Sequence, residues 1–343
     1  MARHKRKGGR RKGSGVAGIL VAFSLVAALA AVGAWWLVTT PFGPTTETFV
    51  NVAPGSSAAT IARKLEAAGV VRTRYAFDLV RFIYHGRLQA GTYRFDRPLP
   101  PAEIYLRITR GDVYTKILTV PEGANIFDIA ARVQQAGLGT RQDFLIAAAT
   151  QASLIADIDP HATSLEGYLF PDTYRFPPTV NEEQIVAAMV RRFRQEAQKI
   201  GLLGNSDMHR IVTMASIVEK ETADPNERPV VASVYYNRLN RNMALAADPS
   251  VIYAALLAGR YRGTIYESDL QFDSPYNTYK HAGLPPGPIA NPGIASLEAA
   301  MHPAQTEFLY FVSDNNGHHR FARDSGEHAR NVAAYRKAQA TNP

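Results

Sequence analysis

The feature that most constrains this chain is an uncharged stretch from Val16 to Val38. Its 23 residues exceed the about 20 that a helix needs to cross the hydrocarbon of a bilayer. At about 1.5 Å per residue the stretch reaches roughly 34 Å, enough for a slightly tilted crossing. Trp35 and Trp36 close its far end, where indole rings favour the headgroup layer. Arg3, Lys5, Arg6, Lys7, Arg10, Arg11 and Lys12 crowd its near end. The bias of basic residues toward the cytoplasm predicts a cytoplasmic tail over residues 1–15, a membrane helix over 16–38 and an external remainder. Ala28-Leu29-Ala30 resembles a signal-cleavage site. The apolar run continues past it, however, which predicts an uncleaved anchor.

The 343 residues suffice for two domains with their own cores. Taking the seven tail residues from the 38 Lys and Arg leaves 31, against 30 Asp and Glu. The net charge of +8 is therefore a property of the tail, and nucleic acid is not an expected partner of the folded part. The chain has no cysteine, which excludes disulfides, thiol catalysis and cysteine-ligated metals. No phosphate-binding glycine loop of the Walker type occurs. His302, His318, His319 and His328 follow no known ligand spacing, so neither a metal nor another cofactor is expected.

Beyond the anchor, residues 39–46 read as a short stiff linker. Residues 47–115 alternate between strand-like and helix-like patterns in the order strand, helix, helix, strand, helix, which predicts a small α+β module. Ile61 and Leu65 mark its first helix, and Ala90-Gly91-Thr92-Tyr93 lies in its returning strand. Residues 116–343 predict a larger mixed α+β domain. Its helices are expected at 181–200, 206–222 and 226–240, a helix capped by Asp248 follows, and a Pro-, Gly-, Asn- and Tyr-rich loop covers 272–293.

Ile211, Met214, Ala215 and Val218 recur at helical spacing and predict a buried stripe. Glu219 sits at its edge, in the last turn. Partial burial and the negative end of the helix dipole both help a carboxyl there keep its proton, as a glycosidic leaving oxygen requires. Taken alone, however, Glu219-Lys220-Glu221 reads first as a solvated helix end. Glu166 and Asp172 bracket Tyr168, and such carboxylates and aromatic faces suit sugar binding as well as a core patch. Tyr276, Asn277 and Tyr279 lie in a proline-stiffened loop suited to holding sugars and N-acetyl groups. Asn237 and Asp248 complete the candidate binding set, with Glu221.

Five blocks carry a resemblance: Leu165-Glu-Gly-Tyr-Leu-Phe-Pro-Asp-Thr-Tyr174, Ala215-Ser-Ile-Val-Glu-Lys-Glu-Thr222, Ala232-Ser-Val-Tyr-Tyr-Asn-Arg-Leu239, Asp248-Pro-Ser-Val-Ile-Tyr253, and Tyr276-Asn-Thr-Tyr279 with Gly283-Leu-Pro-Pro-Gly287 and Asn291-Pro-Gly293. In order and spacing they resemble the YceG-like (MltG) endolytic murein transglycosylases. The resemblance implies that residues 47–115 form a LysM-like subdomain and that residues 116–343 hold the catalytic domain. It implies that Glu219 is the general acid/base and that glycan strands are cut to 1,6-anhydro-muramic ends. It further implies a single-pass protein of the bacterial inner membrane whose catalytic domain is periplasmic. Peptidoglycan strands would be the substrate, and peptidoglycan synthases of elongation or division are candidate partners. A hydrolytic muramidase pairing Glu219 with Glu166, Asp172 or Asp248, and a non-catalytic peptidoglycan-binding scaffold, remain as alternatives.

Overall fold

The computed structural model describes residues 14–341; the basic tail up to Gly13 lies outside them. Helix α1 (Ser14–Thr39) contains the apolar stretch, and its segment Gly18–Thr39 is long and apolar enough to cross a membrane. The chain divides after Thr115 into two units.

In the first unit α1 is followed by β1 (Thr48–Val52), α2 (Ala58–Ala67), α3 (Arg74–Tyr84), β2 (Gly91–Phe95) and α4 (Pro101–Arg110). β1 and β2 pair antiparallel, with Val50 opposite Tyr93. Ser57 starts α2 by accepting from the Thr60 N–H at 3.2 Å, the usual N-cap contact. Ile61 and Leu65 of α2, Phe77 and Val80 of α3, and Ile104, Tyr105 and Ile108 of α4 close a core over the two strands. The expected short stiff linker makes contacts of its own. Val38 is already buried in this core, and Phe42 exchanges two backbone hydrogen bonds with Leu99, each 3.1 Å. Val38 has a core to enter, and Phe42 is held by its backbone pairing with Leu99 and by the Arg72 guanidinium 4.8 Å from its ring centroid.

The second unit begins with β3 (Lys116–Thr119), α5 (Ile126–Gln135) and α6 (Arg141–Thr150), then β4 (Thr173–Phe176) and α7 (Glu182–Lys199). It continues through α8 (Met208–Glu221), α9 (Arg228–Asn240), α10 (Asp248–Leu257), the short α11 (Glu267–Leu270) and α12 (Ile294–Met301). The hairpin of β5 (Tyr310–Ser313) and β6 (His319–Ala322) and helix α13 (Ser325–Thr341) end it. β3 pairs antiparallel with β4, a strand the sequence pattern did not single out. Capping boxes at Asn125 and Asn181 fix the starts of α5 and α7. Helix α8 lies at the centre, packed against α9, α10 and α12, and its residues from Ile211 to Val218 are all buried.

Asn291 ties three distant segments together. Its Nδ2 donates to the Ala124 carbonyl at 2.9 Å and to Glu166 Oε1 at 2.8 Å, and its Oδ1 accepts from the Leu169 N–H at 2.8 Å. Glu166 Oε2 accepts from the Ile126 N–H at 3.0 Å. Burial pushes the Glu166 carboxyl up to about 8. Glu166 is thus a structural group rather than a sugar ligand. Tyr168 is equally internal: fully buried, it stacks edge-on against Phe193 and donates its hydroxyl to Asp159. An Asn291→Ala variant leaves the Leu169 N–H, the Ala124 carbonyl and Glu166 without this partner. Such losses cost about 1–3 kcal/mol each and act together here. The expected outcome in urea denaturation is a loss of about 3 kcal/mol or more with the fold retained.

Candidate functional site

An α-helix turns about 100° per residue, so side chains two positions apart point to nearly opposite sides. At the end of α8 this separates Glu219 from Glu221. Glu219 points toward the loops around Gly123 and Gly293. Its Oε1 accepts from Arg228 Nη2 at 3.0 Å, and its Oε2 accepts from the Gly293 N–H at 2.9 Å. The side chains of this pair are 4% and 6% exposed, and Glu122 lies 3.7 Å from the same guanidinium. Lys220 donates to the Gly123 carbonyl at 3.1 Å. Glu219 is therefore a clamp between α8, the start of α9 and the loop before α12. The sequence reading did not include Arg228 in this contact.

Glu221 faces the other way, into an open cavity of about 400 Å³ shared with Tyr235, Arg238, Asp248, Tyr279, Tyr310, Phe311 and His328. Tyr235 donates its hydroxyl to Glu221 Oε1 at 2.6 Å. Tyr279 donates to Asp248 Oδ1 at 2.6 Å. Burial, reinforced by the nearby Asp248 charge, pushes the Glu221 carboxyl up to about 7, although the Tyr235 hydrogen bond opposes this. A carboxyl poised there can both give and take a proton near neutral pH. Burial also raises the Tyr279 phenol and lowers the His328 imidazole. His328 Nδ1 is buried without a partner, and its ring stacks on Tyr310 with centroids 5.1 Å apart.

The cavity walls are held by backbone carbonyls and by a clamp on the hairpin. Arg238 donates to the carbonyl of Leu309 at 2.7 Å and to that of Leu245 at 2.5 Å, so it serves the wall rather than pairing with a carboxylate. Tyr310 and Phe311 arrive on β5. The hairpin is fastened to the start of α9 by His319, whose Nδ1 lies 2.7 Å from Glu227, and by His318, 3.1 Å from Asp224.

Of the residues singled out in the sequence, Glu221, Asp248 and Tyr279 meet at this cavity. The others do not join them. Asp248 opens α10 but does not cap it; its carboxylate is turned to Tyr279. Asn237 spends its amide on the carbonyls of Thr306 and Phe308, at 2.8 and 3.0 Å. Asn277 is fully buried and folds its own loop, donating to the carbonyls of Leu270 and Phe272 and accepting from the Tyr279 N–H. Tyr276 packs its half-buried ring against Tyr253 at 5.1 Å. Asp172 pairs with Arg192 at 2.7 Å. For Asn237, Asn277 and Asp172 a backbone group or a cation needed a partner, and the polar side chain supplied it. Sequence reasoning missed Tyr235, Tyr310, Phe311 and His328. Tyr235 carried a local signal, because it falls within the third motif block.

The Glu219–Arg228 clamp yields a direct test. Removing one partner of a buried ion pair costs about 3–5 kcal/mol, whereas replacing both by apolar groups is often close to neutral. Arg228→Ala is expected to lose that much stability in chemical denaturation. Arg228→Met combined with Glu219→Leu is expected to recover most of it.

With this geometry in place, comparison with known proteins is informative. The sequence profile of the YceG-like family matches residues 50–334. A protein of Bacillus subtilis (strain 168) named endolytic murein transglycosylase is 36% identical over 299 residues, which is 81% of this chain and 82% of that protein. A protein of the same name from Streptococcus pneumoniae (serotype 2, strain D39) is 30% identical over 319 residues, covering 83% of this chain but 58% of that longer protein. A crystal structure of a YceG-like protein from Listeria monocytogenes shares 33% identity and a TM-score of 0.54, covering 83% of this chain and 99% of the other. The chain belongs to the YceG-like family.

Proposed function

We propose that this chain is an endolytic lytic transglycosylase of peptidoglycan in which Glu221, rather than Glu219, is the general acid/base. The observation that carries the reading is the different surroundings of the two carboxyls. Glu219 has both oxygens engaged in a buried clamp. Glu221 lies in an open cavity with its carboxyl pushed up to about 7. Relatives over more than four-fifths of the chain bear the name endolytic murein transglycosylase, which supplies the substrate class and the reaction type.

The chemistry needs a single acid/base. Protonated Glu221 gives its proton to the glycosidic oxygen between MurNAc and GlcNAc as the C1–O bond breaks. The resulting carboxylate takes the proton from the muramyl C6 hydroxyl while that oxygen bonds to C1. A 1,6-anhydro-muramic end forms and no water is consumed. The nucleophile belongs to the same sugar, so high effective molarity replaces a bound water. Asp248, held by Tyr279, is placed to balance the positive charge that develops at C1. Tyr310 and Phe311 offer aromatic surface to sugar rings.

The rest of the chain fits this task. An α1 that crosses the bacterial inner membrane, with a cytoplasmic basic tail, puts the catalytic unit on the periplasmic side. The β-α-α-β core of the first unit supports a LysM-like, glycan-binding role. Attachment close to the bilayer favours nascent strands and makes peptidoglycan synthases natural partners.

Digestion of uncrosslinked nascent glycan, read by mass spectrometry, tests the proposal. Wild-type protein is expected to release 1,6-anhydro ends. Glu221→Gln should lose about 10²–10⁴-fold of the rate, the range typical of a general acid/base, while its melting temperature stays close to wild type. Glu219→Gln should instead lower the melting temperature. If folded Glu219→Gln is inactive while Glu221→Gln keeps its rate, the assignment is wrong. Products heavier by one water would show a hydrolytic muramidase instead. The acid must begin protonated, so the rate is expected to fall as pH rises through about 7.

A further inference from the structure

The first unit carries an apolar tip that its own core leaves uncovered. Phe82, Ile83 and Tyr84, at the end of α3, are 74%, 56% and 51% exposed, and Tyr75 at its start is 62% exposed. Three consecutive helical residues sweep about 200° of surface, so no single face of the unit could bury them all. The buried stripe of α3 is Ala76, Phe77 and Val80, and the tip projects beyond it. Clustered exposed aromatics of this kind mark an interaction site.

The surroundings of α3 say what covers the tip. Helices α3 and α4 pack against α1, the apolar helix long enough to cross a bilayer. One contact lies at the level of the indoles: the Arg72 guanidinium is 5.3 Å from the Trp36 ring centroid and 4.8 Å from that of Phe42. Val38 is in the core of the unit, so no flexible tether separates it from the span. Between residues 72 and 87 there are four arginines (Arg72, Arg74, Arg81 and Arg87) and one acid, Asp78. Aromatic side chains together with arginine suit the boundary between headgroups and acyl chains, and the positive charge suits anionic phospholipid.

We propose that α3 is a membrane-interface helix: Tyr75, Phe82 and Ile83, which lie within about a quarter turn of one another around the helix, enter the headgroup layer of the membrane that α1 crosses, flanked by arginines on anionic lipid. The first unit is thereby held down on the bilayer instead of swinging from it. This rests on α1 spanning the membrane, and the test separates the two ideas.

The absence of cysteine permits single nitroxide labels on the full chain, reconstituted in vesicles of phosphatidylethanolamine and phosphatidylglycerol. Leu29→Cys reports the span and Ile83→Cys the tip. Power saturation compares access of oxygen, which concentrates in lipid, with access of a water-soluble nickel chelate. The Leu29 label should show deep burial, and the Ile83 label a depth near the headgroup boundary with nickel access several-fold below that of free label in buffer. A buried Leu29 label beside an Ile83 label fully open to nickel overturns the interface helix and leaves the span intact. A Leu29 label open to nickel overturns both. Spin–spin broadening at Ile83 that disappears on dilution with unlabelled protein would assign the tip to a second copy of the chain and also overturn the proposal.

Discussion

The second unit depends on one buried amide. Asn291 has two donor hydrogens and one acceptor oxygen, and all are used: on the Ala124 carbonyl, the Glu166 carboxyl and the Leu169 N–H. In a dry interior each of these groups would be costly to leave unpaired, so the loops they belong to have little choice of position. The loop fixed by Asn291 continues to Gly293, whose N–H meets Glu219. Glu219 in turn holds Arg228 at the head of α9. The rotation of α8 at its last turn is thus set by groups far from the cavity. Because the helix is rigid, pinning Glu219 on one side directs Glu221 to the other.

Two carboxyls two residues apart therefore serve different ends. One is saturated with donors and joins three elements. The other meets a phenol, a neighbouring carboxylate and open space, and burial pushes it up to about 7. Environment, not residue type, separates a structural glutamate from a candidate acid. The same distinction runs through the polar residues of the motif blocks. Glu166, Asn237 and Asn277 carry buried backbone groups, whereas Asp248 and Tyr279 face the cavity and each other. A motif of this kind mixes residues that build the site with residues that use it.

The first unit obeys a different constraint. The end of its apolar helix is part of its own core through Val38, and the segment after it pairs with Leu99 instead of forming a tether. A stretch rich in proline and threonine usually reads as a spacer, but here the preceding valine finds a core and its phenylalanine pairs through the backbone with Leu99. The unit and the helix before it behave as one piece, which bears on how closely the chain can approach a membrane surface.

By itself the sequence determined most of the helices, though not the strand β4. Apolar periodicity marked α2, α3 and α8. The uncharged run marked α1, and five motif blocks marked the family. These features were legible because they depend on residues near one another along the chain. The tertiary structure alone decided which carboxyl faces the cavity, which asparagines are spent on carbonyls, and that Tyr310, Phe311 and His328 come from the far end of the chain to line the wall. These depend on contacts such as Asn291 with Ala124 or His319 with Glu227, across more than 90 residues. Only the folded chain sets the dielectric and the hydrogen-bond partners that make Glu219 a clamp and Glu221 a candidate acid.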